Sequence, residues 1–290
     1  MSTVMALPDR IQFGEPQWHA DGVLLALAYA ADGTLWSVEE PGLLRQWDKS
    51  GRLLVRHFLS DIETLWAFGP RAELLVSASD DLVVWEVAGQ REIASLPQPS
   101  WVTAVAFHPN KRVIATGHDD GSVRVWDLTS GVPSHGKELS NHRQPISALA
   151  FNADGSLLAG ASEERKIVVW DLPAGTVRQT LAGHTDRIPA LAWQPGTNVL
   201  LSAGWDTTVR VWDIGSGEPT MLLNTHSDQV YALAFSPDGQ LLAVADSSGS
   251  VHIWSEVAQG KELRVLSGDI EEIHTLAFSA DGKLLAVGGN

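Results

Sequence analysis

A tryptophan returns about every forty residues, at Trp47, Trp85, Trp126, Trp170, Trp212 and Trp254, with an acidic residue behind all but the last. The intervals are 38, 41, 44, 42 and 42 residues. A single globular core gives no reason for such a period. A chain of like supersecondary units does, because each unit buries its apolar faces only against its neighbours. The period therefore predicts a protein that works through a surface rather than a catalytic pocket.

Aligned on the tryptophans, the segments share one template. A short apolar run ending in an aromatic comes first, in seven copies: Leu24–Tyr29, 62–68, Val102–Phe107, Ile146–Phe151, 188–193, Val230–Phe235 and Ile273–Phe278. A turn follows, written Asp-Gly at Asp32-Gly33, Asp154-Gly155, Asp238-Gly239 and Asp281-Gly282. Asp-Gly between apolar runs is a strong hairpin signal, because the turn needs backbone angles that glycine tolerates. A second apolar run, a third strand alternating up to the tryptophan (Val209-Arg210-Val211-Trp212) and a weaker fourth run (178–181, 262–266) complete the unit. Four antiparallel strands with apolar residues on both faces must be sandwiched between like sheets. Their radial packing is a β-propeller. No segment sustains a helical period, and Val, Ile and Thr are dense where the pattern is strongest. No linker or composition break divides the chain, so residues 1–290 are expected to form one domain.

The net charge of −15 repels nucleic acid and anionic membrane surfaces. The absence of cysteine excludes disulfides and thiolate metal sites. No basic segment followed by an apolar run opens the chain, and no apolar stretch approaches the roughly 20 residues that cross a bilayer. A cytoplasmic protein is the expectation.

Two segments carry a more specific signature. They are Gly183-His184 … Leu191-Ala192-Trp193 … Ser202-Ala203-Gly204-Trp205-Asp206 … Val211-Trp212-Asp213, and Leu233-Ala234-Phe235-Ser236-Pro237-Asp238-Gly239. These residues resemble the WD40 repeat family, and the frequent Asp-Gly hairpins resemble its bacterial members. The resemblance covers nearly the whole chain and is weakest in the first two units. It implies an all-β, seven-bladed β-propeller with four antiparallel strands per blade. The seventh copy stops after two strands. The last blade is therefore expected to be shared, with residues 2–7 as third strand and 10–13 as fourth. Counted circularly, Trp254 to Leu7 spans 43 residues, within the observed range.

The resemblance also implies a buried hydrogen-bonded tetrad in each blade, complete only in blade five as His184, Ser202, Asp206 and Trp212. Blade three has Thr116, Asp120 and Trp126 without the preceding histidine. Blades four and six keep His142 and His226 but place Gly160 and Val244 where the hydroxyl belongs. A catalytic Ser-His-Asp reading is rejected, because the hydroxyl sits mid-strand under an indole and no G-x-S-x-G elbow is present. His142, His184 and His226 fall 42 residues apart on separate spokes. Metal ligands must converge to about 2 Å from one ion, so no metal site is expected. No phosphate or dinucleotide fingerprint suggests a cofactor. The acidic pairs Glu39-Glu40, Asp80-Asp81, Asp119-Asp120 and Glu163-Glu164 read as solvated turn residues.

By the resemblance, Trp101, Arg187, Trp205 and Tyr231 face the mouth of the central channel, with Glu63, Glu272 and His274 as polar neighbours. Packing of Trp101 and Trp205 between blades is an equal alternative. The expected function is a non-catalytic, monomeric scaffold that binds a protein or peptide. A sensor or structural module of a larger signalling protein is the alternative, followed by a propeller-fold enzyme.

Overall fold

The computed structural model describes residues 3–6, 23–60, 65–79, 81–129, 134–139, 141–223, 226–267, 270 and 272–289. Within them the chain alternates strands and tight turns. The Asp-Gly turns show why: Thr34 N–H donates to Asp32 Oδ1 at 2.9 Å while Gly33 takes φ +83°. Gly155 adds a steric need, since a Cβ there would lie 2.0 Å from the His108 ring of the preceding blade.

Six sheets have four strands each, with neighbours in sequence paired antiparallel. Their first strands are Leu24–Tyr29, Leu65–Phe68, Val102–Phe107, Ile146–Phe151, Ala190–Trp193 and Val230–Phe235. The remaining sheet is smaller. It pairs Ile273–Phe278 with Leu284–Gly289, and Leu284–Gly289 with Thr3–Ala6 from the other end of the chain. The register runs from Thr3 opposite Val287 to Ala6 opposite Leu284. The expectation of a seven-bladed ring with four strands in every blade is therefore corrected. Six blades are four-stranded, and the sheet that joins the two ends has three strands among the described residues. The expected fourth strand, residues 10–13, lies outside the described residues.

First strands of successive sheets lie against one another around the ring, and Ile273–Phe278 touches Leu24–Tyr29 to complete the cycle. The apolar cores lie between blades. Leu201 and Val211 of blade five, for example, pack against Leu242 and Trp254 of blade six. Second strands such as Leu157–Ser162 are buried on both faces, whereas outer strands such as Thr176–Ala182 are largely exposed. The register slips by one residue next to the repeating tryptophan in all six four-stranded blades. Such a bulge re-aims a side chain, and here it marks where each indole is placed.

Two first strands are shorter than expected. Blade five pairs only from Ala190, because Pro189 has no N–H to donate. Blade two pairs from Leu65, and 61–64 lie outside the described residues. Glu39 departs from its expected solvated turn: it is 1% exposed and ion-paired to buried Arg45 at 3.3 Å.

Candidate functional site

The indoles show how each blade is pinned. In blade five, Trp212 Nε1 donates to Ser202 Oγ at 2.8 Å, and Ser202 Oγ lies 2.7 Å from His184 Nε2. His184 Nδ1 lies 2.9 Å from Asp206 Oδ2, which also accepts from Thr185 N–H at 2.9 Å. Burial pushes the Asp206 carboxyl up, but these bonds and those from Thr208 outweigh it and hold the carboxyl well below its ordinary range. Ser202 is fully buried, so the Ser-His-Asp set of blade five lies beneath the indole.

The other blades vary this scheme. Trp47, Trp85 and Trp126 donate to Ser37, Ser77 and Thr116 at 3.1, 2.9 and 2.9 Å. Blade three replaces the missing histidine from within its own strand, with His118 Nε2 at 2.9 Å from Thr116 Oγ1. Ser122, Ser100 and Arg124 hold the Asp120 carboxyl down at about 2 against the opposing effect of its burial. In blade four, His142 Nδ1 meets Ser162 Oγ at 2.8 Å and Nε2 meets the Gly160 carbonyl at 3.1 Å. Where the strand hydroxyl is absent, at Gly160 and Val244, the indole nitrogens of Trp170 and Trp254 are buried without a partner. So is His226 Nε2.

This orphan pair in blade six makes one prediction. Val244→Thr keeps the side-chain shape and offers a hydroxyl to Trp254 and His226. A single satisfied hydrogen bond contributes about 1 kcal/mol. The expected outcome is a melting temperature raised by about 2–4 °C, measured by calorimetry. The same exchange at Val211, which packs in the apolar core between blades five and six, should lower it.

Five of the seven expected binding residues form one contiguous row. The loop before the first strand of blade five carries Arg187, and the turn after its second strand carries Trp205. A backbone bond from Trp205 N–H to Arg187 C=O, 2.9 Å, ties the two. The Arg187 guanidinium stacks 5.1 Å from the Trp205 ring. Trp205 meets Tyr231 of blade six at 5.7 Å between centroids, and Tyr231 meets His274 of the three-stranded sheet edge-on at 5.5 Å. His274 Nε2 lies 3.6 Å from Glu272 Oε2. Arg187 Nε and Trp205 Nε1 are buried donors without an acceptor. Desolvation, then the charges of Glu272 and Asp228, push the Tyr231 hydroxyl up. It stays protonated at neutral pH and donates to Gln229 Oε1 at 3.1 Å. Gln229 and Asp228 belong to this site and escape sequence reasoning, because no motif marks them.

His274 also lines the central cavity of about 360 Å³, together with Trp66, Thr103, Ser147 and Pro189. Trp101 stands apart on blade three, with 56% of its surface exposed. Glu63 lies outside the described residues.

A second constellation escapes the reading of histidine spacing. His226, Asp246 and His252 come together inside blade six, with their donor atoms within 4.8 Å of one another. Among the described residues, no helix is long and apolar enough to cross a membrane.

A family model described as WD domain, G-beta repeat matches residues 90–127, 134–171, 175–213, 217–255 and 260–290, more than half of the chain. The human angio-associated migratory cell protein is 29% identical over 135 residues, 44% of this chain and 30% of that protein. Human transducin beta-like protein 3 is 33% identical over 92 residues, 30% of this chain and 11% of that protein. Nuclear distribution protein PAC1 of Scheffersomyces stipitis is 55% identical over 31 residues, 11% of this chain and 6% of that protein. The chain thus spans less than a third of the length of these curated relatives, all eukaryotic.

Proposed function

The chain belongs to the WD40 family, and from that premise we propose that it is a non-catalytic scaffold that holds a protein or peptide at the channel mouth. The observation that carries this reading is the row Arg187–Trp205–Tyr231–His274–Glu272, which spans three sheets and reaches the central cavity. Tryptophan, tyrosine and arginine dominate the energetics of protein interfaces, and a rigid ring presents them at little entropic cost. Alternating cation, aromatic rings and carboxylate suit a peptide with both an apolar side chain and charge. The proposal also includes Trp101, which stands exposed on blade three, and, from its repeat position in the sequence alone, Glu63. The proposal includes one propeller domain over residues 1–290, a monomer, a cytoplasmic location and protein rather than nucleic acid as partner. The net charge of −15 supports that choice of partner, and the regular Asp-Gly hairpins are what supports a bacterial-type chain.

The experiment is affinity purification with mass spectrometry, comparing wild type with a chain carrying Trp101→Ala, Arg187→Ala, Trp205→Ala and Tyr231→Phe. Hot-spot truncations cost about 2 kcal/mol or more each, so specific partners should fall at least tenfold while circular dichroism stays unchanged. Partners retained equally by both chains would place binding on another face.

A further inference from the structure

We propose that His226, Asp246 and His252 form a zinc site inside blade six. His226 Nδ1 lies 3.3 Å from Asp246 Oδ2, and His252 Nε2 lies 3.4 Å from the same oxygen. Zinc bonds of about 2.0–2.1 Å in tetrahedral geometry set their donor atoms about 3.3 Å apart. Both spacings match that edge. Blade five supplies the internal comparison: there His184 closes on Asp206 at 2.9 Å as a plain hydrogen bond.

Each donor is already oriented. Asp246 Oδ1 is held by Ser248 Oγ at 2.5 Å and by the N–H groups of Ser248 and Ser250 at 3.1 and 3.3 Å, which leaves Oδ2 for the two imidazoles. His252 Nδ1 lies 2.5 Å from Glu262 Oε1. A proton held there directs the lone pair of Nε2 inward, the carboxylate–histidine–metal relay that orients zinc ligands. The His252 side chain is 9% exposed and Glu262 is 30% exposed, so the outer-strand side of the cluster is its more open one. Zinc on His226 Nδ1 leaves that ring's proton on Nε2, which is buried without a partner. This offsets part of the affinity but does not prevent binding.

Three departures from the sibling blades coincide here. Asp246 stands where blade five has Gly204, His252 where blades three and five have Arg124 and Arg210, and Val244 where blade five has Ser202. Blade six, which like blade four lacks the pinning hydroxyl, holds a two-imidazole, one-carboxylate set suited to zinc and its late first-row neighbours. The site joins the loop before the first strand, the end of the second and the third strand. These are the parts that Ser202 and Asp206 join in blade five, so the ion would tie the same elements together. Three protein ligands leave a fourth position for water.

The test is calorimetric titration of the chelator-stripped full chain with zinc chloride, with thermal melts beside it. One zinc per chain and a raised melting temperature are expected. His252→Arg, which installs the residue of blades three and five, should abolish both effects. Glu262→Gln should weaken binding about 10- to 100-fold while keeping the stoichiometry. Failure of the wild type to bind one equivalent overturns the site, as does equal affinity in His252→Arg. Should that variant not fold, an unchanged dissociation constant in Glu262→Gln overturns it instead. The channel-mouth row is untouched by these variants, so the outcome is independent of the scaffold reading.

Discussion

Deleting residues 1–6 is expected to lower the melting temperature by about 10 °C or more, or to leave the protein insoluble. The deletion removes Thr3–Ala6, which pairs residue for residue with Leu284–Gly289. Leu285, Ala286 and Val287 are at most 1% exposed, so the loss lays bare a buried apolar strand as well as its backbone groups. That strand belongs to the sheet between blades six and one. Four residue pairs at about 1 kcal/mol each, plus the uncovered apolar area, come to about 4–6 kcal/mol. At about 2–4 °C per kcal/mol for a domain of this size, the expected shift follows. An unpaired flat strand also templates aggregation, so sedimentation should be followed beside the melt. An identical melt in the shortened chain would show that the N-terminal strand contributes nothing. A complementary variant joins the ends. Val4 lies opposite Ala286, where antiparallel Cα atoms are about 4.5–5.5 Å apart, inside the reach of a disulfide. The chain has no cysteine of its own, so Val4→Cys with Ala286→Cys should give a single internal cross-link, visible as a mobility shift lost on reduction.

The tryptophan period made most of this architecture legible, because an indole can be buried at that interval only if a sheet recurs there. What it could not show was the strand count of the smaller sheet, which depends on hydrogen bonding between the two ends. Linear spacing also hid convergence within a blade. His226, Asp246 and His252 are 20 and 6 residues apart, but the hairpin of Leu241–Asp246 and Ser250–Ser255 folds them into one cluster. The cue was local: a histidine alternating with Val251 and Ile253 on a buried strand needs a partner. His118 follows the same logic, since it stands two residues after Thr116 and so shares its face of the strand. Glu39 is buried rather than solvated because its partner Arg45 comes from the neighbouring strand, a pairing that two adjacent acids do not reveal. The positions of Arg187, Trp205, Tyr231, Glu272 and His274 followed from repeat alignment. Their stacking into one row depends on the angle between adjacent sheets, a quantity with no sequence signal.

Asp206→Ala is expected to destabilise the protein by about 3–4 kcal/mol at neutral pH. The carboxylate accepts from His184 at 2.9 Å, from Thr185 N–H at 2.9 Å and from Thr208 Oγ1 at 2.7 Å. Alanine leaves the buried His184 imidazole facing an unsatisfied gap, and each stranded buried polar group costs about 1–3 kcal/mol. Asp206→Asn keeps acceptor and shape but not charge, and should cost less. The pH dependence separates charge from shape. The folded carboxyl is held below its ordinary value of 3.8. Its contribution is therefore fully present well above that value and is lost as pH falls through it toward the folded value. Linkage sets the loss at about 1 kcal/mol by pH 3. Urea unfolding of wild type and Asp206→Ala, compared at pH 7 and pH 3, should show the gap between them narrowing by that amount. The same comparison at Asp213, whose Oδ1 caps only the Gly215 N–H on the surface, should show a small gap at both pH values. A gap at Asp206 that stays constant across the range would mean that the tetrad is held by packing and neutral hydrogen bonds, with the carboxylate charge contributing nothing.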